Sequence, residues 1–510
     1  MSVAHGVLRR APGTSTWMSA RLLRAVRASP RRVPTAAWAC ALVALANGLA
    51  WSLIVPPFEV PDENAHYAYV AQLAETGELP QTHLPEGPLS PREDQLVNTL
   101  LTFGIVGHSE NPAPLTQAQQ DAIEAVERKK LSATGNGDAL SATSNPPLYY
   151  MLEAVPYKLV ATGSLLDKLA AMRVLSALMG ATTVLLVFMF LRELLPASRW
   201  AWPAGALLVA FEPLFGFMSG GVNNDNLLYL TAAGTLWGLA RAFRRGLTPA
   251  TGALLGGFLG AGLVSKLTLL GFLPAVALAL ALLWWRAAAG RRAALHGALL
   301  AVALAGAPVV LYLLADHLTG SRGFIPGGIG TVASNVGRRF DFNEEVSHVW
   351  QLFLPRLWMN RQFDYSPLWQ TWFVGFVGRF GWLDYGFPGW VYQVGRVVTL
   401  TVIALVLVEL VRCRVAVRRR AGELAVYVLI VVGLCAEIGV QSYRYLIENG
   451  GVFEQARYLL SLLGLYGALG AIAVRAGGRR WGPAMASGLV VLAIGHDLYA
   501  QAITIARYYA

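Results

Sequence analysis

Two adjacent carboxylates and an imidazole follow the first long apolar segment of the chain: Asp62, Glu63 and His66. A carboxylate fixed beside a membrane can accept the proton of an acceptor hydroxyl. Because its ordinary pKa is about 3.9, it is a weak base at neutral pH, and catalysis would depend mainly on positioning. The alternative is structural: Asp62 occupies an N-cap position and Glu63 complements the helix dipole. The spacing predicts one short helix over 63–75 that stops at Gly77.

The elements that must position these residues are membrane helices. The 510 residues are 55% hydrophobic and only 14% charged, with a mean hydropathy of +0.48, far from the composition of soluble domains. A span needs roughly 20 predominantly apolar residues. We predict an all-α polytopic membrane protein with about eleven spans, at 36–55, 169–191, 200–219, 225–243, 249–264, 267–285, 293–315, 389–411, 423–441, 455–474 and 482–503.

The charge and cysteine patterns exclude several classes of function. The formal net charge is +11, but seven arginines lie in the first 35 residues, and 11 − 7 leaves +4. The positive-inside rule explains this excess without a nucleic-acid partner. Three scattered cysteines form no CxxC pair, so zinc fingers, thiol redox motifs and disulfide scaffolds are excluded.

The distribution of charge also predicts the orientation in the cytoplasmic membrane. Segment 56–145 carries thirteen acids and four bases and would face outside, whereas the clusters of arginine would face the cytoplasm. This alternation requires 146–163 to lie along the outer interface, in contact with membrane lipids.

The predicted parts are a cytoplasmic Arg-rich N-terminus (1–35), the first span (36–55), an outer loop with juxtamembrane helices and the acidic motif (56–168), a transmembrane core (169–315), an aromatic-rich outer loop (316–388) and C-terminal spans (389–510).

Two cations are placed where they could bind a phosphate at the outer face. Lys266 interrupts an apolar segment, and Arg457 lies at the start of a span. Either could stabilise the charge that develops on a departing lipid phosphate. The guanidinium can bind bidentately, and the lysine could instead extend to lipid headgroups. The turn residues Asn223, Asn224 and Asp225 could line a substrate pocket, although turns and helix caps are their ordinary role.

The acidic motif resembles the opening motif of the GT-C superfamily of membrane glycosyltransferases. Within that superfamily, the chain is similar to a bacterial domain-of-unknown-function family of multi-span proteins that are predicted to be glycosyltransferases. Ala456 departs from the family pattern, in which this position is glycine. The motifs that carry the resemblance are Pro61-Asp62-Glu63-Asn64-Ala65-His66-Tyr67, Asn145-Pro146-Pro147-Leu148-Tyr149-Tyr150, Gly221-Val222-Asn223-Asn224-Asp225, Gly378-Arg379-Phe380-Gly381-Trp382 and Gln455-Ala456-Arg457-Tyr458.

The resemblance implies a GT-C-like architecture with two large outer loops and an inverting sugar transfer on the outer face. The donor would be a polyprenyl-phosphate-linked sugar and the acceptor a glycan, a lipid or a protein. Asp62 would act as the base, with Glu63 beside it, and the aromatic loop would cover the donor. The residues expected to bind substrate are His66, Asn145, Asn224, Asp225, Lys266 and Arg457.

Two other functions fit the same sequence. A transporter or flippase of a lipid-linked saccharide would use a central site between the spans, and such proteins tend to show internal repeats. An inactive scaffold in a cell-wall complex is the third reading. We predict no cofactor and no metal site, because no spacing matches a ligand set such as HExxH. A divalent ion on Asp62 or Glu63 stays an open alternative, since some GT-C enzymes use one.

Overall fold

The computed structural model describes residues 33–80, 116–128, 141–287, 290–319, 340–355, 366–450 and 454–509. Most of the predicted cytoplasmic N-terminus, and parts of both predicted outer loops, lie outside this range. Apart from one two-stranded hairpin, the described chain is helical, which confirms the all-α polytopic prediction. The α-helices are α1 (Thr35–Ile54), α2 (Glu63–Thr76), α3 (Gln117–Arg128), α4 (Leu148–Leu159), α5 (Leu165–Leu194), α6 (Ala201–Ala210), α7 (Pro213–Ser219), α8 (Asp225–Arg245), α9 (Pro249–Leu263), α10 (Leu273–Arg286), α11 (Arg291–Thr319), α12 (Phe342–Phe353), α13 (Val374–Gly378), α14 (Gly389–Arg412), α15 (Arg414–Arg419), α16 (Ala421–Asn449), α17 (Leu463–Arg475) and α18 (Gly478–Tyr509).

Short helices of other types and one hairpin complete the described elements. The 3₁₀ helices Leu267–Phe272 and Ala456–Leu462 lead directly into α10 and α17, and a third covers Ser141–Ser144. A π-helix, Leu368–Phe373, precedes α13. The hairpin pairs β1 (Arg379–Phe380) with β2 (Tyr385–Gly386) in antiparallel register, Arg379 opposite Gly386 and Phe380 opposite Tyr385.

The described chain contains fewer candidate spans than the eleven predicted segments. Eight helices of the described chain are long and apolar enough to cross a membrane, or nine if one bent pair is a single span. All eleven predicted segments contain helix. The segment 225–243 belongs to α8, which begins with an aspartate and ends with two arginines, and α8 is not among the candidate spans. The segment 249–264 belongs to α9, whose 15 residues rise only about 22 Å, less than the roughly 30 Å of hydrocarbon.

The bent pair is α6 and α7, which together fill the predicted segment 200–219. The two helices meet at 62°. Pro213 is the first residue of α7, where its missing N–H is not needed, and the Glu212 carboxylate accepts from the Phe215 N–H at 2.6 Å as the N-cap. The bend places the short helix α7 next to the segment that carries Arg457, and its residues line the cavity described below.

Helices α9 and α11 approach each other closely along a row of small residues. Gly252, Gly256 and Gly260 recur at four-residue spacing on α9, and a Cβ at each would lie 2.0 to 2.3 Å from a backbone oxygen of α11. Only glycine permits this contact. Rows of small residues are the usual means of tight packing between membrane helices, where lipid chains are as apolar as the helix surface.

A separate aromatic core holds the segment after the first span. It packs α2 against α4 and the start of α5, and its buried tyrosines include Tyr67, Tyr69, Tyr149 and Tyr150. The rings of Tyr69 and Tyr150 stack at 3.5 Å between centroids. Helix α4, within the segment predicted to lie along the interface, has 12 residues and rises about 18 Å, too short to cross. This core fixes the position of α2, which begins directly after Asp62.

A buried ion pair joins the first residue of α2 to helix α5. Arg173 donates from Nε to Glu63 Oε1 at 2.8 Å and from Nη2 to Oε2 at 2.6 Å. The exposed fraction of the two side chains is 5% and 0%. The remaining Arg173 donors reach the carbonyls of Ser52, Val55 and Pro56 at 2.8 to 3.0 Å. All five donors of the guanidinium are therefore used, and two of them satisfy carbonyls in the last turn and C-cap of α1.

The C-terminal helix closes the same region from the other side. The Tyr508 hydroxyl donates to Glu59 Oε2 at 2.6 Å, and Arg507 pairs with Asp384 of the hairpin loop. Trp382, in the same loop, donates from its indole to the Phe58 carbonyl at 3.3 Å. The loop that carries Asp62 is thus held by α5, by the hairpin and by the last turn of α18.

Removing one member of the Arg173–Glu63 pair should destabilise the fold. We expect Arg173→Met to lower the free energy of unfolding by about 3–5 kcal/mol, because Glu63 would keep an unpaired buried charge. The double variant Arg173→Met/Glu63→Leu should lose less than the sum of the single variants. The measurement is unfolding in detergent micelles, followed by tryptophan fluorescence.

The control is the surface pair Arg128–Glu124, whose side chains are 70% and 50% exposed. Arg128→Met should change the free energy of unfolding by less than about 1 kcal/mol. An equal loss for Arg173→Met and Arg128→Met would contradict the structural role of the buried pair.

Candidate active site

Asp62 occupies an unusual backbone conformation between Pro61 and Glu63. Its φ is 61° and its ψ is 12°, in the left-handed region that non-glycine residues rarely adopt. It stands at the N-cap of α2, as predicted, but its side chain makes no capping hydrogen bond. The carboxylate turns instead to Arg457, whose Nη2 lies 2.5 Å from Asp62 Oδ2. The Asp62 side chain is 32% exposed and that of Arg457 only 5%.

The pair belongs to a row of alternating charges. Lys266 Nζ donates to Asp225 Oδ1 at 2.6 Å, and Asp225 Oδ2 lies 3.9 Å from Arg457 Nε. The row therefore runs Lys266, Asp225, Arg457, Asp62, with two positive and two negative charges. The ring of Tyr458 lies below both cations, at 5.4 Å from Lys266 Nζ and 5.3 Å from the Arg457 guanidinium carbon. The predicted cations thus share one site, and each is already paired with an acid.

Local structure explains why the Asn-Asn-Asp turn reaches this row. The Asn223 amide donates to the Pro61 carbonyl at 2.8 Å, while its oxygen accepts from the Asp225 N–H at 2.9 Å. The Asn224 amide donates to the Ser265 carbonyl at 3.3 Å. These bonds connect the start of α8 to the acidic loop on one side and to the residue before Lys266 on the other. The turn residues therefore have structural contacts as well as a place in the site.

His66 and Asn145 lie on the α2 and α4 side of the site. The His66 Nδ1 is 2.9 Å from the Tyr150 hydroxyl, and the two rings stack at 5.8 Å. The Asn145 carbonyl accepts from Tyr69 at 3.3 Å, and its amide donates to Ala142. Three residues further, the Leu148 N–H donates to the Val264 carbonyl at 3.1 Å. That bond brings the Asn-Pro-Pro-Leu-Tyr-Tyr segment next to the segment of Lys266.

Glu63, predicted beside Asp62 in the catalytic role, faces away from the row of charges. It accepts four hydrogen bonds, two from Arg173 and one each from the Phe58 and Val222 N–H groups at 2.8 Å. With its side chain fully buried, it has no access to a substrate in this conformation. The structure therefore separates the two adjacent acids, since Asp62 is partly open and Glu63 anchors the loop.

The environment determines the charge of Asp62 and His66. Burial raises the pKa of Asp62, but the positive charge of Arg457, with smaller effects of His66 and Lys266, outweighs it and lowers the pKa from 3.8 to about 2. Burial lowers the pKa of His66 from 6.5 to about 3, although the Asp62 carboxylate opposes the change. Between pH 5 and 8, therefore, the carboxylate is ionised and the imidazole is neutral.

A cavity of about 330 Å³ opens beside Arg457. Helix α7 contributes the apolar side chains Leu214, Phe217 and Met218, and the hairpin contributes Arg379. Sequence reasoning did not select Arg379 as a site residue, although it stands in the Gly-Arg-Phe-Gly-Trp motif. Tyr150 and Tyr458 were also missed individually, and their signal was again the motif in which each lies. Their contacts join segments too distant in the chain for spacing to reveal.

No group of three or more His, Cys, Asp or Glu side chains that could hold a metal ion occurs within the described ranges. In the row of charges, Asp62 and Asp225 are each paired with a cation of the protein. The acids of the site are thus arranged for ion pairs with Arg457 and Lys266.

Comparison with known proteins gives a family and distant structural likenesses. The family described as "Predicted membrane protein (DUF2142)" matches residues 45–465. No curated protein matches the sequence. The oligosaccharyltransferase of Archaeoglobus fulgidus is similar at 13% identity and a TM-score of 0.44, in the apo form and tethered to an acceptor peptide, covering 92% of this chain and 56% and 54% of that chain. ArnT from Cupriavidus metallidurans has 14% identity and a TM-score of 0.35, covering 89% and 76%.

This chain spans about half the length of the oligosaccharyltransferase that it resembles. At such low scores, the likenesses carry no argument about the reaction. The site must therefore be interpreted from its own contacts.

His66 should make the folded protein less stable as the pH falls. Below pH 6.5 the unfolded chain binds a proton at this imidazole that the folded chain, with a pKa of about 3, does not bind. The resulting loss of folding free energy is absent above pH 6.5 and grows as the pH falls toward 3. At pH 5 it is about 2 kcal/mol. We expect the melting temperature of the parent to fall more between pH 8 and 5 than that of His66→Gln; equal slopes would contradict the lowered pKa.

Proposed function

This chain belongs to the family of predicted membrane proteins designated DUF2142, and we propose that it is an inverting glycosyltransferase. It transfers a sugar from a polyprenyl-phosphate-linked donor to a cell-envelope glycan, lipid or protein on the outer face of the cytoplasmic membrane. One observation carries the proposal. A partly open side chain, Asp62, is bound to a buried guanidinium, Arg457, next to a cavity that is lined by apolar side chains and by polar ones, among them two arginines and a glutamate.

The reaction is a displacement at the anomeric carbon of the donor. The acceptor oxygen forms a bond to that carbon as the bond from the carbon to the phosphate oxygen breaks. The electron pair leaves with the lipid phosphate, and the proton of the acceptor hydroxyl passes to Asp62. Because the attack comes from the face opposite the phosphate, the anomeric configuration inverts.

Asp62 with a pKa of about 2 is a weak base toward a free hydroxyl. The hydroxyl becomes strongly acidic only as its oxygen bonds to the anomeric carbon, so a weak base is sufficient when proton transfer is late. Its principal contribution is then the orientation of the acceptor. The strained backbone of Asp62 and the bond to Arg457 supply that orientation, because both restrict where the carboxylate points.

Arg457 and Lys266 are proposed to stabilise the negative charge on the departing phosphate. In the described contacts, the Nη2 of Arg457 binds Asp62 and its Nη1 donates to the Pro61 carbonyl at 3.3 Å, whereas its buried Nε has no hydrogen-bond partner. Lys266 binds Asp225 with one of three possible donors. Of the two, Arg457 also lines the cavity. We therefore assign it the principal contact and Lys266 a supporting one.

The other predicted residues have proposed roles around this centre. Glu63 anchors the loop and makes no contact with substrate. Asp225 holds Lys266 at 2.6 Å, and Asn224 ties the turn to the carbonyl of the residue before Lys266. His66 and Asn145 lie on the side of Asp62 toward α4, where a neutral imidazole could donate to, or accept from, a sugar hydroxyl. A donor on the outer face must be lipid-linked, because nucleotide sugars are cytoplasmic.

The alternative of a transporter depends on acids within the spans. Asp497 and Glu212 are both buried. Asp497 accepts from the Trp51 indole at 3.0 Å and from the Gln501 amide at 2.9 Å, and Glu212 caps α7. Glu437, the other in-span acid that a transporter could use, accepts from the Gln441 amide at 2.6 Å. Each of these acids therefore has at least one hydrogen-bond partner within the described helices. An inactive scaffold would not require the Asp62 side chain to be partly exposed.

The proposal predicts that Asp62→Asn removes sugar transfer while the protein remains folded. Asparagine tolerates the left-handed backbone and can keep a hydrogen bond to Arg457. We expect transfer of radiolabelled sugar from polyprenyl-phosphate donors to fall at least about 100-fold in membranes with matched expression. The control Asp121→Asn, at an exposed acid of α3, should transfer like the parent.

Retention of full transfer by Asp62→Asn would contradict the base assignment. If the parent transfers no sugar from a panel of donors but moves labelled lipid-linked saccharide across liposomes, and Asp497→Asn stops that movement, the transporter alternative is correct.

A further inference from the structure

The cavity beside Arg457 has two chemically different walls. Its apolar wall consists of Leu214, Phe217 and Met218 on the bent helix α7. Its polar side includes Arg379 and Arg457 from two segments distant in sequence. A cavity of this kind suits an amphiphile, with an anionic group near the two guanidinium groups and a hydrocarbon chain along α7.

Arg379 is a cation without an acidic partner among the described residues. It is exposed, and none of the described ion pairs includes it. Arg457 and Lys266, by contrast, are each bound to an aspartate. In the row of four charges the positive and negative charges balance, so Arg379 is the cation of the cavity that lies outside this row; Glu454 is the acid that lines the same cavity.

The hairpin keeps Arg379 at the edge of the cavity. Arg379 pairs with Gly386 in the two-stranded register. The turn between the strands is fixed by Arg507 on Asp384 and by the Tyr385 hydroxyl, 3.1 Å from Thr504 Oγ1. The contacts with the end of α18 therefore fix the backbone position of Arg379. Its side chain is held at the edge of the cavity by this backbone and not by an ion pair.

Further polar side chains lie at the same side of the cavity. Gln455 lines it, and its buried Oε1, an acceptor, has no hydrogen-bond partner in the described part of the chain. The buried Nε of Arg457 lies 3.9 Å from Asp225 Oδ2. Glu454, the acid that also lines the cavity, accepts a hydrogen bond from the Ser442 hydroxyl, and that hydroxyl lies 2.6 Å from His348 Nε2. One oxygen of the Glu454 carboxylate is thus bound by Ser442. Of the two guanidinium groups at the cavity, Arg457 is paired with Asp62, whereas Arg379 is in none of the described ion pairs.

We propose that this cavity binds the phosphate of the lipid-linked donor between Arg379 and Arg457, with the first part of the lipid chain along Leu214, Phe217 and Met218. The identity of the lipid rests on the proposed function; the phosphate site itself does not. Arg457 would then contact Asp62 and the phosphate with different nitrogens. The leaving group would be held next to the carboxylate that orients the acceptor.

The test is binding, measured without a sugar and without transfer. The purified protein in phosphatidylcholine nanodiscs is titrated with undecaprenyl phosphate, and binding is followed by native mass spectrometry. We expect Arg379→Gln to weaken binding about tenfold or more, since it removes a charge-assisted contact, and Arg379→Lys to weaken it less. Arg396→Gln is the control, because Arg396 lies over the Trp369 ring at 5.7 Å and does not line the cavity.

Melting temperatures establish that each variant is folded. Unchanged binding of undecaprenyl phosphate to a folded Arg379→Gln protein would overturn the proposal. So would equal binding of phosphatidic acid, which would indicate a site for lipid headgroups, or equal binding of inorganic phosphate, which would indicate a site for small anions.

The outcomes separate this proposal from the proposed function. If Arg379→Gln weakens lipid-phosphate binding but the parent transfers no sugar, the cavity assignment stands and the transferase assignment fails. If the parent transfers sugar and Arg379→Gln leaves the KM for the donor unchanged, the transferase assignment stands and the role of Arg379 fails.

Discussion

The ion pair between Arg173 and Glu63 is the constraint on which the site depends. Its guanidinium uses every donor, two on a buried carboxylate and three on carbonyls that end α1 and begin the following loop. The four hydrogen bonds of Glu63 hold the residue after Asp62 in one place. With Pro61 restricting the backbone on the other side, Asp62 adopts its left-handed conformation. Its carboxylate is thereby directed at a guanidinium 395 residues further along the chain.

The charges around Asp62 balance, but the site is partly accessible. Lys266, Asp225, Arg457 and Asp62 alternate in sign, so the site can be buried near the end of the membrane helices without a net charge. Two features depart from a purely structural network. The Asp62 side chain is about one-third exposed, and Arg457 borders a cavity. A network that served stability alone would have no need of either, and both are required if an acceptor and an anionic leaving group meet here.

The sequence predicted the local features of the site well. The helix after Asp62 begins at Glu63 and ends at Thr76, followed by Gly77 with a φ of 77°, as its stop signal indicated. The bend at Pro213 and the helical nature of all predicted spans also follow from local patterns. Membership of a family of unknown function is confirmed by the match over residues 45–465. The transferase activity implied by the resemblance stays a proposal.

Long-range partners could not be predicted. Hydropathy finds apolar segments but does not give the exact ends of helices: α8 extends over Asp225 and the two arginines at its C-terminus, and α9 ends after 15 residues. Spacing gives Asp62 and Glu63 similar roles, because the partner of each lies more than 100 residues away. An in-span arginine such as Arg173 signals a buried acid without identifying it.

The most direct test of the account is a cryo-electron microscopy structure in nanodiscs with a phosphonate analogue of a polyprenyl-phosphate sugar. We predict the phosphonate about 3 Å from the Arg457 guanidinium, with the anomeric carbon facing Asp62. Density for the analogue between the spans near Asp497, with Arg457 and Asp62 in contact only with each other, would contradict the account.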